Sequence, residues 1–209
     1  MQPKNTILAF DTAAAHCAAV VVRGDETLAA RVEPMTKGQA ERLFPMIEDV
    51  MVEAGVDWTT IDVIAVGTGP GNFTGIRISV AAARGLALSL GIPAIGVSRL
   101  EALTFDKNGS CTSVIDARQN RLYVQEFQNG SAISDVQMLD VDGFLSEHPC
   151  LCDGGVAVNA TLVPIQQTLV NAANIAAKRA ATAQPRPAPL YVRAPDAALP
   201  SDQPPTILP

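Results

Sequence analysis

The chain has 209 residues, of which 48% are hydrophobic and 17% charged, so it is long and apolar enough for one large domain or two small ones. Its net charge of −6 and pI near 4.8 leave no broad basic face, which argues against independent binding to a nucleic acid backbone. The N-terminus lacks a signal-peptide pattern and no apolar run approaches the roughly 20 residues that cross a bilayer, so we expect a cytoplasmic protein.

Three short apolar segments near the N-terminus predict an antiparallel meander, with strands at residues 7–10, 18–22 and 28–32. Residues 23–26 supply a hairpin turn. Apolar residues then recur at helical spacing over residues 40–54, and Gly55 follows as a C-terminal cap. Because Pro45 lies inside this pattern, the helix is expected to start just before it or to bend there.

A glycine-rich loop follows the fourth predicted strand, at residues 61–66, and leads into a second helix. Its glycines permit positive φ and close approach of a ligand or another backbone; they are Gly67, Gly69, Gly71 and Gly75. Thr74 is placed to cap a helix running from about residue 75 to 90, whose free N–H groups suit an anion. The loop lacks the Lys-Ser/Thr ending of a P-loop, so a tight turn that serves packing alone is the alternative.

A fifth strand at residues 94–97 completes the order β-β-β-α-β-α-β, the ribonuclease-H-like arrangement from which actin-like phosphotransferase domains are built. A second, weaker copy begins with strands at residues 113–118 and 122–127. The later predictions are a strand near 136–139, a helix at 141–147, an extended segment at 150–152 and a helix at 170–183. We therefore predict an α/β fold of the actin-like (ASKHA) class, with an N-terminal lobe at 1–105, a truncated second lobe at 106–184 and a proline-rich, extended surface tail at 185–209.

Two aspartates at strand ends are candidates for contacting a phosphate or metal between the lobes. Asp11, followed by Thr12, ends the first strand, and Asp116 ends its counterpart in the second copy. The alternative is that each carboxylate caps nearby backbone N–H groups. No metal is predicted at the Cys/His segment 148–152, because no second ligand cluster accompanies it.

The two helices also carry candidate partner surface. On the second helix, small residues at i, i+4 and i+8 form a strip that another helix could approach closely, at Ala81, Gly85 and Ser89. Internal packing is the alternative for this strip. On the first helix, apolar residues exceed the stripe that its core is expected to need, at Met46, Val50 and Val52. Together these features favour a helical bundle across subunits.

Six segments carry a more specific signal: ILAFDTA (7–13), AERLFPMI (40–47), GTGPGNFTGIRI (67–78), GLALSLGIPAIGVSRL (85–100), VIDARQNRLY (114–123) and LYVR (190–193). Together they resemble the TsaB family, also called YeaZ. The resemblance implies a non-catalytic paralogue of TsaD in the bacterial machinery that makes threonylcarbamoyladenosine beside the anticodon of tRNAs reading A-starting codons. It also implies TsaD as obligate partner, the ATPase TsaE as a further partner, a competing homodimer, and contact with tRNA only through the complex.

The same resemblance implies that this chain is not an enzyme. TsaD needs two histidines on its first helix to hold a metal, whereas here Gln39 stands where relatives often keep one and no second follows. No cofactor is expected for the chain itself, and ATP or ADP could bind within the complex. The predicted partner-binding residues are Gln39, Leu43, Met46, Val50, Arg77, Ala81, Gly85 and Ser89. The candidates for binding an anion or nucleotide are Asp11, Thr12, Gly69, Gly71, Asn72, Thr74, Gly75, Asp116 and Arg118.

Two enzymatic functions and one non-enzymatic function are the alternatives. An actin-like, ATP-dependent phosphotransferase would use the two aspartates and the glycine loop. A peptidase-like homologue of the glycoprotease family would need a nucleophile motif, and none is recognisable in the sequence. A stand-alone structural module would differ from the TsaB interpretation only in lacking a TsaD partner.

Overall fold

The structure is a computed structural model that describes residues 5–192. The strands are β1 (Thr6–Asp11), β2 (His16–Arg23), β3 (Glu26–Pro34), β4 (Val63–Gly67), β5 (Ala94–Val97), β6 (Ser110–Arg118), β7 (Arg121–Gln128), β8 (Ser131–Ala132), β9 (Gln137–Asp140), β10 (Cys150–Cys152) and β11 (Thr161–Leu162). The helices are α1 (Gln39–Ala54), α2 (Phe73–Leu90), α3 (Arg99–Leu103) and α4 (Ile165–Arg179), and a single 3₁₀ turn, Trp58–Thr60, precedes β4.

The first sheet has the strand order β3-β2-β1-β4-β5. Strands β1, β2 and β3 form the antiparallel meander, and β4 and β5 join parallel to β1 through the crossovers that contain α1 and α2. β1 and β4 are buried along their whole length because helices cover both faces of the sheet, which explains their nearly uninterrupted apolar sequences. The predicted ribonuclease-H-like order is confirmed.

Helices α1 and α2 pack on one face of this sheet, and α4 packs on the other. The first core contains Leu8, Phe10, Leu43 and Ile47, and the second contains Ile7, Ala9, Val20, Leu169 and Ala173. α4 lies in the range predicted for the second lobe, yet it contacts β1, β2 and β4 of the first sheet. The lobe boundaries at residues 105 and 184 stay predictions. Through α4, the range predicted for the second lobe contributes to the core of the first sheet.

The second sheet is smaller, with the order β11-β10-β6-β7-β8 and β9 paired to β7. α3 packs on one of its faces, and irregular segments cover the other. The helix predicted at residues 141–147 is wrong, because this segment forms turns and bends. Gly143 has a φ of 81°, a left-handed conformation that interrupts helical backbone, while Val141 and Phe144 pack separately on the sheet.

Three helix boundaries differ from the prediction. α2 begins at Phe73, and its N-terminal cap is Asn72 rather than Thr74, since the Asn72 side chain accepts from the Gly75 N–H over 2.9 Å. α4 begins at Ile165, directly after Pro164, and ends at Arg179, so it lies earlier in the chain than predicted. α1 begins at Gln39, six residues before Pro45, and ends at Ala54, where Gly55 with a φ of 64° is the predicted cap.

The predicted surface tail is described only over residues 185–192, and the remainder lies outside the described residues. Residues 185–192 form neither helix nor strand, but they are not simply at the surface. Pro187 is buried against Gly96, and the Leu190 N–H donates to the Thr68 carbonyl over 2.8 Å. The predicted surface tail therefore needs correction for this part, because Pro187 and the Leu190 backbone contact the first sheet while the other residues are exposed or half-buried.

Within residues 5–192, α2 is the one helix long and apolar enough to cross a membrane by length and composition. Its mean hydropathy is 1.2. Its buried residues pack on the first sheet, and a core helix of a soluble protein passes the same test.

We predict that Ala173→Asp destabilises the protein by about 3 kcal/mol or more, because it places an unpaired charge between α4 and the first sheet. For a chain of this size the midpoint of thermal unfolding should fall by about 6–12 °C. Gln166→Asp, on the exposed side of the same helix, is the matched control and should leave the midpoint nearly unchanged. Equal midpoints for the two variants would contradict the placement of α4.

Candidate functional site

The turn between β1 and β2 lies directly against the glycine-rich loop between β4 and α2. The Asn72 N–H donates to the Ala13 carbonyl over 2.6 Å, and Thr12 Oγ1 donates to the Gly75 carbonyl over 2.6 Å. A Cβ at Gly71 would stand 2.2 Å from the Ala13 oxygen, and one at Gly75 would stand 2.0 Å from the Thr12 oxygen. Packing therefore requires both glycines, which is the alternative that the sequence left open.

Asp11 is buried beneath this turn at the end of β1. Its Oδ1 accepts from the Ala13 N–H over 2.8 Å and lies 2.9 Å from His16 Nε2. Its Oδ2 has no hydrogen-bond partner among residues 5–192 and lies against Gly67, where a Cβ would stand 1.7 Å away. Burial raises the pKa of Asp11, but the hydrogen bond and charge of His16 and the charge of Arg99 bring the pKa below its ordinary value.

The lowered pKa of Asp11 makes the stability of the fold depend on pH. Ionised Asp11 stabilises the fold above the pKa of an unfolded aspartate, about 3.9. The contribution is lost as the pH falls through the lowered pKa of the folded state.

Arg99, the first residue of α3, joins the glycine loop to the second sheet. Its backbone N–H donates to the Gly69 carbonyl over 2.8 Å, and its Nη1 donates to the Pro70 carbonyl over 2.9 Å. Nε and Nη2 both donate to Asp153 Oδ2, over 3.0 and 2.8 Å. Both side chains are buried. Burial lowers the pKa of Arg99, but the charges of Asp153 and Asp11 outweigh it and raise the pKa, so the guanidinium stays charged.

A cavity of about 960 Å³ opens above these contacts, between the two sheets. Its walls are the β1–β2 turn, the first turns of α2, the β6–β7 hairpin, the segment after β10 and residues 190–192. The charged or titratable side chains that line it are His16, Arg77, Arg99, Asp116, Arg118, Tyr123, Asp153 and Tyr191. The ends of both sheets thus face one space large enough for a small ligand.

The predicted anion-binding residues divide into two groups. Those that line the cavity are Gly71, Asn72, Thr74, Asp116 and Arg118. The others lie beneath the lining, where their contacts are with the protein itself, and the structure corrects the placement of Asp11, Thr12, Gly69 and Gly75. At the Asp116 end, Oδ1 accepts from the Arg118 N–H over 2.8 Å, which is the cap proposed as the alternative for this aspartate.

Sequence reasoning missed several cavity residues. Arg99 lies two residues after β5 and Asp153 directly after β10, and the carboxyl ends of parallel strands are where ligands bind in α/β sheets, so each residue had a partial signal. The two strands belong to different sheets, so the pairing of Arg99 with Asp153 had none. His16 gave no such signal, because its pairing with Asp11 depends on how the chain turns between β1 and β2. Tyr191 fell in the segment taken to be a tail.

The Cys/His segment 148–152 is part of the core rather than a cluster of ligands. Cys150 and Cys152 are buried in the core of the second sheet, and burial raises the pKa of the Cys152 thiol. Across residues 5–192, no three His, Cys, Asp or Glu side chains lie close enough together to hold a metal ion.

Comparison with known proteins places the chain in a family. Residues 33–145, more than half of the chain, match the family model described as TsaD: tRNA N6-adenosine threonylcarbamoyltransferase. The tRNA threonylcarbamoyladenosine biosynthesis protein TsaB of Escherichia coli (strain K12) is 39% identical over 127 residues, which are 58% of this chain and 54% of that protein. The chain belongs to the TsaB (YeaZ) family. In this match it spans about half the length of the Escherichia coli relative.

Other comparisons extend over nearly the whole chain. An uncharacterized protein of Mycobacterium tuberculosis (strain H37Rv) is 33% identical over 207 residues, covering 92% of this chain and 94% of that protein. The structure of YeaZ from Pseudomonas aeruginosa superposes with a TM-score of 0.68 at 26% identity, covering 90% and 99% of the two chains. A glucomannokinase from Arthrobacter, at 9% identity and a TM-score of 0.51, is similar in fold alone. The predicted actin-like fold is confirmed.

In this TsaB-family chain, the surface that helices α1 and α2 expose differs from the surface predicted to bind a partner. Leu43, Met46 and Val50 are buried on the first sheet, so the prediction that they contribute contact surface is wrong. They belong to the single apolar stripe that packs α1 on the sheet. Gln39 is half-buried, with its side chain donating to the Met35 carbonyl over 3.1 Å.

On α2 the predicted residues are all exposed: Arg77, Ala81, Gly85 and Ser89. Four large apolar side chains of the two helices are exposed, with exposed fractions of 44% for Phe44 and 81% for Val52 on α1, and 40% for Phe73 and 86% for Leu88 on α2. The face available to a partner is therefore mainly α2, supplemented by the outer residues of α1.

We expect Arg99→Met or Asp153→Leu alone to lower the free energy of unfolding by about 3–5 kcal/mol, because either leaves one buried charge unpaired. The double variant should be more stable than either single variant, since neither charge remains, although the Pro70 carbonyl still loses its donor. Urea unfolding of the four proteins measures both effects. If the double variant lost the sum of the two single losses, the pair would not be energetically coupled.

Proposed function

We propose that this chain is a non-catalytic subunit required for threonylcarbamoylation of the adenosine next to the anticodon in tRNAs that read A-starting codons. It binds and supports a catalytic TsaD-type subunit, together with a TsaE-type ATPase. The name of the Escherichia coli relative and the matching family model support the pathway. The single observation that carries the role of a binding subunit is the exposed strip on α2, centred on Gly85.

Gly85 is unusual because the described part of the fold, residues 5–192, does not use it. It lies in the middle of α2 and is exposed, and a Cβ built there meets no atom of the described residues within 4 Å. A glycine inside a helix costs about 1 kcal/mol relative to alanine. A helix from another subunit gains from that missing side chain, since close approach of two helices needs small residues at the contact.

The packing of the family's glycine loop supports a non-enzymatic role. The glycines of the loop pack against the β1–β2 turn, and the Asn72 N–H donates to the Ala13 carbonyl. This part of the loop backbone therefore makes packing contacts and is not available to bind a reactant. Asp11 and Arg99 are likewise held by His16 and Asp153. The net charge of −6 is consistent with tRNA contact only through the complex. We place this complex in the cytoplasm.

Two enzymatic alternatives receive less support. A peptidase is suggested by a Pseudomonas aeruginosa structure described as similar to peptidase YEAZ, but none of the four thiols of this chain is placed as a nucleophile. All four cysteines are buried, and burial raises the pKa of Cys17 to about 11. A phosphotransferase would need Asp11 to face its substrate, whereas that carboxylate lies beneath the cavity lining.

Gly85→Leu should weaken binding to the TsaD-type subunit of the same organism by roughly 5- to 150-fold, the equivalent of an overpacking cost of about 1–3 kcal/mol. The thermal midpoint of the isolated chain should not fall, because the side chain enters open space. Gly85→Ala is the matched control, with a smaller effect on affinity and a slightly higher midpoint. Calorimetric titration measures affinity, and tRNA modification in the reconstituted system should fall in parallel.

Two results would contradict this proposal. One is unchanged TsaD affinity for the leucine variant, which would remove α2 from the contact. The other is threonylcarbamoyl transfer to tRNA by the isolated chain at a rate comparable to that of the reconstituted complex, which would make it an enzyme.

We propose as a second function that the cavity binds an oxyanion, such as the phosphates of ATP or ADP, within the complex. The Phe73 and Thr74 N–H groups precede the first intrahelical bond of α2, and both residues line the cavity. Among the described residues, the Arg118 side chain has no ion-pair or hydrogen-bond partner, and it lines the same cavity. His16 lines it as well, and its Nε2 lies 2.9 Å from Asp11 Oδ1.

Titration with ADP should show binding by the chain, and His16→Ala or Arg118→Ala should weaken it about 10-fold, the size expected for one hydrogen bond to a charged group. Arg84→Ala, which removes an exposed cation outside the cavity, is the control and should bind like the original chain. Binding that is equal in all four proteins, or absent from the original chain and from its complex, would refute the second function and leave the first intact.

A further inference from the structure

The segment after α4 returns across the first sheet to the cavity, and we call residues 185–192 the C-terminal strap. It is fixed at several points. Pro187 is buried, with its Cα and Cβ each 3.5 Å from the position that a Cβ on Gly96 would take. The Leu190 N–H donates to the carbonyl of Thr68, just after β4, over 2.8 Å. The strap therefore arrives at α2 with its position already set by the sheet.

The end of the strap contacts the first two turns of α2 through Tyr191. The Arg77 Nε donates to Tyr191 Oη over 2.7 Å, and the rings of Phe73 and Tyr191 lie 5.2 Å apart between centroids. The guanidinium carbon of Arg77 stands 3.6 Å from the centroid of the Phe73 ring and 5.6 Å from that of Tyr191. An arginine held by a cation–π contact and a hydrogen bond has lost most of the rotamer freedom of an exposed side chain.

Arg77 stands on the strip that the proposed function assigns to the partner. It precedes Ala81 and Gly85 at the four-residue spacing that keeps side chains on one helix face. Among the described residues, its Nη1 and Nη2 donate to no acceptor, so the outer edge of the guanidinium is available. Arginine, with tryptophan and tyrosine, is enriched among the residues that contribute most at protein interfaces, and a side chain that is already ordered loses less entropy on binding.

We infer that Tyr191 is a positioning residue for subunit association: it fixes Arg77 on the partner strip of α2, so that Nη1 and Nη2 meet acceptor oxygens of the docked subunit. This inference rests on the proposed function. Tyr191 itself acts through Arg77. The C-terminal strap is thereby a part of the binding surface, although it lies in a region of the sequence with the composition of a tail.

The test is a double-mutant cycle on affinity for the TsaD-type subunit, measured by calorimetric titration with the full chain. Tyr191→Phe removes the oxygen that accepts from Arg77 but keeps the ring, and should weaken binding about 3- to 10-fold. Arg77→Ala should weaken it about 10-fold or more. In the Arg77→Ala background, Tyr191→Phe should have no further effect, because the group that it positions is gone.

Arg186→Ala is the matched control, because it removes an exposed cation from the same strap and should leave affinity unchanged. Thermal unfolding of each variant shows whether the strap merely stabilises the chain, in which case the midpoint would fall while affinity stayed constant. That result would overturn the inference, as would an equal loss from Tyr191→Phe with and without Arg77. If Gly85→Leu weakens binding while these variants do not, the proposed partner face stands and only the positioning role fails.

Discussion

The buried guanidinium of Arg99 is the group on which the shape of the central cavity depends. The guanidinium donates to the Pro70 carbonyl and to Asp153 after β10 of the second sheet, while the backbone N–H of Arg99 donates to the Gly69 carbonyl. A buried ion pair contributes little net stability, but it admits few geometries, because each unpaired alternative is costly. The two sheets therefore keep one relative arrangement, and the walls of the cavity follow from it.

A single loop sequence serves packing and leaves a ligand surface beside it. Gly71 and Gly75 allow the loop to contact the β1–β2 turn, while Gly71, Phe73 and Thr74 also line the cavity. Since the packing contacts depend on the missing side chains of the two glycines, the motif constrains backbone geometry more than chemistry. A TsaB-family chain can thus keep the loop whether or not a nucleotide binds there.

Most of the first sheet and its two helices could be predicted, because their signals are local: apolar strands, a helical stripe and glycine caps such as Gly55. The surface of α1 was predicted wrongly although its signal was also local, since Met46 and Val50 lie three and seven residues after Leu43 and so continue the buried stripe. The pairing of Asp11 with His16, by contrast, required the course of a turn, which spacing alone does not define. Non-local contacts account for the cavity residues that were missed.

The position of α4 has a consequence for how the chain is made. Strands β1, β4 and β5 are synthesised early, but the helix that covers one face of their sheet follows the entire second sheet. During synthesis, that apolar face stays uncovered until residues 165–179 have left the ribosome, so the first lobe closes last. The two lobes are consequently not separable units of the gene: a chain cut between α3 and β6 would yield a first sheet without one of its two covers.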